Sequence, residues 1–542
     1  MGLKTHFHFI TFFVIVNILL IISQTPMIIR FLNTPQDRIY PFVHTDWAHD
    51  YYLYLAAINQ GINGDFLYHD PYTTEPTTKG IFYIFFTTTG QIARIFHLNP
   101  VAAYHLLTII SFEMFATLAF LLSQMILGRK YAFWGALFGI IGTISPTLIW
   151  NFKIDFPINM PWWIMMDAFE RLYALPHYGA AQALLLLFVI LIINFYRNRR
   201  IKNAILAASA IFIAGIILPS VLLPIGIALP ISYFFYILRN SFMQKKIILE
   251  QKIAFGFILI VAFAFICYIL LFYQGQAGFP WNHWIPWGIT RWNLNEPAFN
   301  RILLLSFGIL PILALPAMVR AIRRNNWELI FISLWAILPF FMLPFVNILS
   351  IAKIRLTQEA PFIPFGILAA YTIFQIVPKY KYPIIAVFLL STLPVSLNLL
   401  SQRIQYIKTE PIYDHFYIPK TSFEVIEFIK KNLPKNSVIL TNEKMGNIIP
   451  AFAPTVSYMG HLNQTMNYPE KEKNVNNFFS GKWTDEEAKK FLIENGIRYV
   501  YYGWQEKELG LDISKYPFLR SIYKNEAVEL FQLLSTCQVE QI

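Results

Sequence analysis

Apolar runs of about 20 residues, the length a membrane-spanning helix needs, recur along most of the chain. Eleven are legible: 9–31, 101–127, 131–150, 178–196, 203–218, 220–238, 253–273, 302–320, 328–349, 359–377 and 382–400. Pro219 separates the fifth and sixth, so this pair reads as a hairpin or a broken helix. Basic residues sit at the ends of alternate runs. Arg129 and Lys130 follow the second; Arg197, Arg199, Arg200 and Lys202 follow the fourth. Arg239, Lys245, Lys246 and Lys252 follow the sixth, Arg320, Arg323 and Arg324 the eighth, and Lys379 and Lys381 the tenth. Short loops rich in Lys and Arg stay in the cytoplasm. The register therefore predicts a plasma-membrane, multi-pass protein with its N-terminus cytoplasmic and everything after residue 400 extracytoplasmic. The opening run, preceded by a basic start, is longer than the h-region of a cleaved signal peptide and reads as a retained helix.

Beyond residue 415 the pattern changes. TSFEVIEFIKKNLP is amphipathic with Thr421 or Ser422 as cap, NSVILTN (436–442) is a buried strand, and Thr484 with Glu487 forms a capping box. IRYVYYG (497–503) is another strand, and FLRSIYKNEAVELFQLL is a hairpin turning at Lys524–Asn525–Glu526. The expected fold class is thus a polytopic α-helical membrane protein of about eleven transmembrane helices, spanning 1–405, with an extracytoplasmic α/β domain at 415–542. A long outer loop, 33–100, separates the first two runs. Within it, 81–97 reads as a helix lying in the membrane interface rather than a further span, because a span there would upset the charge register.

Composition agrees. Of 542 residues 56% are hydrophobic and only 14% charged, against roughly 25% charged in soluble domains. The 50 Phe, 29 Tyr and 13 Trp suit interfacial belts. The net charge of +12 does not imply nucleic acid, because the basic residues form the inter-run clusters, which instead favour membrane lipids. Two cysteines, Cys267 and Cys537, make neither a disulfide framework nor a CxxC metal site. No P-loop or zinc-ligand spacing stands out.

The chemistry concentrates in residues 44–80, HTDWAHDYYLYLAAINQGINGDFLYHDPYTTEPTTKG. Asp46, Asp50 and Tyr54 are four apart and share one face of a helix running to Gly61. A charge at the centre of a spanning helix costs roughly 2.5–3.5 kcal/mol, so Asp46, His49 and Asp50 belong at a surface or a polar cavity. Two carboxylates one turn apart raise one another's pKa or share a divalent cation, Mg or Mn; no cofactor is otherwise implied. His69, Asp70 and Glu75 follow, as loop-ordering groups or acceptor contacts. His177 sits at the outer mouth of the fourth run, as a structural histidine or a substrate contact. Lys353 and Arg355 lie at the outer mouth of the tenth run, where a cation either snorkels or stabilises a departing phosphate; Arg171 and Arg291 are poorer candidates. Glu359 is one turn from Arg355, its expected partner. In TNEKMGNIIPAFAPTVSYMGHLNQ, Gly446, His461 and Asn463 mark a loop-rich region that either caps the site or packs on the membrane domain.

The D-x-x-x-Y of Asp50 to Tyr54 in the first outer loop, the helix ending in NQGINGDFL, the segment IAKIRLTQEAPFIPFGILAAY and the closing α/β domain together resemble the GT-C superfamily of polytopic glycosyltransferases. They are similar to the enzymes that move mannose or aminoarabinose from polyprenyl phosphate. The likeness covers nearly the whole chain. It implies a glycosyltransferase taking a polyprenyl-phosphate-linked sugar to a glycan, lipid or protein acceptor, with an outer-loop aspartate as general base. Carried over, that base is Asp50, with Asp46 the alternative, because His49 stands where many members have an adjacent second acid. Tyr54, His49, His69, Asp70, Glu75, His177 and Glu359 are then the substrate-binding candidates. A transporter or flippase of lipid-linked glycan is the competing class; it would need ionisable residues near the bilayer midplane and paired broken helices.

Overall fold

The computed structural model describes residues 3–43, 48–144, 167–172, 175–244, 251–283, 307–348, 352–356, 362–409 and 415–534. Asp46, Glu359, Arg291 and Cys537 lie outside these residues, and so do the side chain of Lys353 and most of the tryptophan-rich segment 280–293. The chain divides into two compact units: residues 1–26, 108–273 and 285–409, and residues 27–107, 274–284 and 410–542.

The first unit is helical and apolar. Among the described residues of the whole chain, five helices are long and apolar enough to cross a membrane: Pro100–Leu127, Pro176–Asn198, Gln251–Gly275, Trp327–Phe345 and Pro378–Lys408. The bent pair His8–Ser23 and Thr25–Leu32 makes a sixth if it is one span, and shorter apolar helices stand at Ala132–Ile141, Ile201–Ile217, Pro219–Phe235 and Phe362–Ile376. Pro219 does break the chain: one helix ends at Ile217, and after a single 3₁₀ turn the next runs from Leu222. The Gln251–Gly275 helix leaves Phe255, Ile258, Phe265 and Phe272 exposed, a face suited to lipid.

Two features hold this unit together. Gly139 and Gly366 let the Ala132–Ile141 and Phe362–Tyr371 helices touch backbone to backbone; a Cβ on Gly366 would overlap Gly139 itself. Arg171 is fully buried and caps the end of the Ala132–Ile141 helix. Its guanidinium donates to the carbonyl oxygens of Gly139 (3.2 Å), Ile140 and Gly142 (2.8 Å), and lies 3.9 Å over the Phe362 ring. Asp167, one turn away, accepts from Thr143 Oγ1 (2.8 Å), Ser396 Oγ (2.6 Å) and the Phe169 amide (2.9 Å). Both charges are committed to structure, which removes Arg171 from the phosphate-binding candidates.

The second unit gathers three distant stretches of sequence. Strand β1 (Arg38–Ile39) pairs antiparallel with β2 (Ile418–Pro419), Arg38 opposite Pro419 and Ile39 opposite Ile418. The other strands are β3 (Ser437–Leu440), β4 (Thr455–Ser457), β5 (Tyr499–Tyr502), β6 (Leu519–Lys524) and β7 (Glu529–Leu533). They form one sheet in the order β4-β3-β5-β7-β6, parallel over the first three and antiparallel over the last two. Its core is Leu440, Tyr458, Phe478, Phe479, Leu492 and Val500, all buried. The expected capping box is present in both halves, Thr484 with Glu487. The expected turn is also there: the Asn525 amide donates to Val528 O at 3.0 Å. The cap expected at Thr421 or Ser422 is not; the helix spans Lys420–Asn432 from an uncapped Pro419, and Ser422 instead accepts from the buried Tyr501 hydroxyl at 2.8 Å.

The helix that carries Asp50 runs Ala48–Ile62 and is buried along nearly its whole length. It ends where Gly64 adopts φ +105, which an L side chain resists. The segment expected as an interfacial helix is helical over Ile84–Ile95 and packs against the Asp50 helix through two glycines. A Cβ on Gly61 would overlap Thr87 O, and one on Gly90 would overlap Ile58 O. Gly61→Ala is therefore expected to destabilise the protein by about 3 kcal/mol, the upper range for overpacking. Gly226→Ala, inside the Leu222–Gln244 helix with nothing within 4 Å of the added Cβ, should instead stabilise by about 0.5–1 kcal/mol. Denaturation midpoints of the two variants in detergent compare them.

Candidate active site

Asp50 occupies the first turn of its helix, where a carboxylate is favoured by the exposed amides. Its side chain is 37% exposed, and its Oδ1 lies 2.9 Å from His461 Nε2, a ring only 4% exposed. The Asn463 amide donates to His461 Nδ1 at 3.2 Å. That bond assigns the proton to Nε2, which donates to Asp50. His461 is aimed by a close backbone crossing: a Cβ on Gly446 would overlap Met459 O, and one on Gly460 would sit 2.6 Å from the Tyr72 ring and 2.8 Å from Gly446. Only glycine fits either position. Tyr72 is itself buried, 6.0 Å from His461 by ring centroids.

His49, the preceding residue, turns to a different partner set. Its Nδ1 is 2.9 Å from Glu443 Oε1, and its ring centroid is 4.1 Å from that of His415. Burial pulls the His49 pKa down, but Glu443 outweighs it and the net direction is upward. Burial pushes Glu443 up, and the close approach and charge of His49 reverse the direction. Burial, with His49 beside it, takes His415 down to about 3, so this imidazole is neutral at any physiological pH.

Tyr54 shares the Asp50 face but points into aromatic packing, its ring stacked 4.5 Å from Phe86. The polar run that follows is spliced to the C-terminal segment: Ser457 N donates to Pro71 O (2.8 Å) and Thr465 Oγ1 to Tyr72 O (2.9 Å). Asp70 is buried; its Oδ1 accepts from the Tyr72 amide at 2.9 Å, and burial raises its pKa well above the carboxylate range. Glu75 accepts from Lys471 Nζ at 2.6 Å and from Thr73 Oγ1; burial pushes it up, and these two bonds more than offset that. Lys471, nine-tenths buried or more, also reaches Tyr458 O at 3.0 Å. His69 is half-buried, held at its backbone by Gln60 (2.8 and 3.1 Å), with its pKa lowered by burial. It borders a polar cavity of about 240 Å³ lined by Asn59, Gln60, Asn63, Asp65 and Lys435.

In the other unit, Arg355 stands in the turn Lys353–Leu356 and donates to Tyr178 OH at 2.9 Å. The His177 ring lies beside that tyrosine, tilted by 38° with ring centroids 4.6 Å apart. Arg355 and Tyr178, 177 residues apart in sequence, thus meet beside His177. Sequence reasoning passed over His415, Glu443, Lys471 and Tyr178. None of the four carried a signal in sequence, in contrast to Gly446, His461 and Asn463.

No family model matches the sequence and no curated protein matches it. Solved structures do. ArnT from Cupriavidus metallidurans bound to undecaprenyl phosphate aligns over 97% of this chain and 98% of its own at TM-score 0.51 and 10% identity. The Archaeoglobus fulgidus oligosaccharyltransferase with a tethered acceptor peptide covers 91% of this chain and 69% of its own, at TM-score 0.49 and 13% identity. The mycobacterial arabinofuranosyltransferase AftD covers 96% and 40%, at TM-score 0.46 and 12% identity. The match to ArnT shows that the two chains share a fold, and ArnT is the kind of protein that the sequence resemblance pointed to.

Lys471→Met takes a donor from both the Glu75 carboxylate and the Tyr458 carbonyl, and is expected to cost about 2 kcal/mol. A lowered midpoint in detergent denaturation checks it.

Proposed function

We propose that the chain is a membrane glycosyltransferase that moves a sugar from a polyprenyl-phosphate donor to an extracytoplasmic glycan, lipid or protein acceptor. The observation that carries the reading is the Asp50–His461 pair: a half-exposed carboxylate with one oxygen held by a buried, tautomer-defined imidazole. A base needs that arrangement. Oδ1 is spent on orientation, and Oδ2 is the atom to receive a proton. The acceptor hydroxyl gives its proton to Asp50 as its oxygen bonds to the anomeric carbon. The bond from that carbon to the phosphate oxygen breaks, its electron pair leaving with polyprenyl phosphate, and the anomeric configuration inverts.

The ArnT fold supports a lipid-phosphate donor, because ArnT is seen with undecaprenyl phosphate. Arg355 suits the leaving phosphate, through a guanidinium that Tyr178 already orients. Lys353 is its proposed companion. Tyr54, His69, Asp70, Glu75 and His177 remain candidates for shaping or contacting the substrate sites, and Asp46 and Glu359 join them on sequence position. The alternating basic clusters support a cytoplasmic N-terminus and an extracytoplasmic Asp50.

The reading is tested in proteoliposomes with a panel of polyprenyl-phosphate sugars, following polyprenyl phosphate release. Asp50→Asn should lower turnover by about 10²–10⁴-fold, the range of general-base catalysis. His461→Ala should lower it by roughly 10²-fold, the effect of a misplaced group, with the Michaelis constant for donor little changed. Full turnover in Asp50→Asn would remove Asp50 from the chemistry, and no release from any donor by the native protein would remove the reading.

A further inference from the structure

The residues next to Asp50 form a second site that the proposed transfer does not use. His49, His415 and Glu443 each present a ligand atom within 4.8 Å of the others. A tetrahedral shell with bonds of 2.0–2.1 Å separates its ligand atoms by roughly 3.3 Å, so small side-chain rotations close the set around one ion. The alternative is a simple His49–Glu443 ion pair, at 2.9 Å. An ion pair accounts for His49 and Glu443 but leaves His415 without a cause: its Nε2 is buried beside them with no hydrogen-bond partner. Two imidazoles and a carboxylate converging, with one ring nitrogen unmet, is an arrangement of lone pairs that a cation satisfies.

The frame is stiff on the side of Glu443. Asn442 caps the helix that Glu443 begins, accepting from the Lys444 and Met445 amides at 2.9 and 3.2 Å. The fully buried Glu506 holds Asn442 in turn, accepting from its amide at 2.9 Å and from Thr441 Oγ1 at 2.8 Å. His415 is fixed by its own backbone, whose carbonyl accepts from Tyr52 OH at 2.6 Å. The neighbouring cation, Lys444, is directed over the Trp504 ring rather than into the cluster. Outer-shell partners of this kind orient metal ligands.

We infer that His49, His415 and Glu443 bind a divalent first-row transition ion, zinc being the expected one, and thereby pin the start of the Asp50 helix to the segment carrying His415 and Glu443. Nitrogen-rich ligation with one carboxylate suits zinc and disfavours Mg or Mn, which take oxygen. The site is distinct from the Asp46–Asp50 pair that the sequence suggested, and Asp50 keeps its bond to His461.

The test needs no glycosyl transfer, so its outcome is independent of the function proposed above. The full chain, purified without a histidine tag, is stripped with chelator and titrated with zinc alone by calorimetry. One equivalent should bind, and His415→Ala and Glu443→Gln should each weaken binding by more than 100-fold, beyond the roughly 10–100-fold of losing an outer-shell partner. X-ray absorption at the zinc edge of the native protein should report two imidazoles and one carboxylate oxygen, a measurement that stands even where a variant fails to fold. No stoichiometric binding, equal binding in both variants, or a shell of oxygens alone would overturn the inference.

Discussion

The hydrogen bond from His461 to Asp50 joins residues 411 apart in sequence, and the second unit is arranged so that it can form. Asp50 is rigid because its helix is buried and clamped through Gly61 and Gly90. His461 is rigid because Gly446 and Gly460 bring two backbone stretches into contact. Neither side chain reaches the other unless residues 27–107 and 410–542 fold as one body, and the β1–β2 pairing, the Pro71–Ser457 bond and the Asn59–Pro450 bond (3.0 Å) all serve that end. The carboxylate is thus positioned by tertiary structure, with the local helix supplying direction.

How much of this was legible follows from what each signal measures. Apolar runs and basic clusters report one-dimensional properties, and the membrane character, the Asp50 helix, the Thr484 capping box and the closing hairpin were all readable from them. The lengths of the apolar helices were not. The break at Pro219 was readable, but the glycines at 139 and 366 let helices cross closely in a way that a hydropathy window averages away. The C-terminal segment was legible as α/β, but its partnership with the first loop was not, because β1 is two residues long and carries no periodicity.

The site divides in the same way. Asp50 and His49 stood out because acids and histidines are costly in an apolar chain. Their partners did not, because His415, Glu443 and Lys471 lie in a stretch where charge is ordinary. Glu75, conspicuous in sequence and read there as loop-ordering or acceptor-binding, is engaged by Lys471 and Thr73 in the fold. Composition marks where charge is unusual, and only the fold says which unusual charge is already satisfied.

Satisfaction also separates the two histidines that flank the start of the Asp50 helix. His461 has both ring nitrogens committed, one accepting from Asn463 and one donating to Asp50, so it can orient the carboxylate without competing for its proton. His415 sits at nearly the same depth with Nε2 unmet. A buried imidazole with an unmet nitrogen carries a desolvation cost that a bound cation would offset. Orientation thus falls to His461 and the proposed ligation to His415, and His49, one residue before Asp50, is the residue through which the second would act on the first.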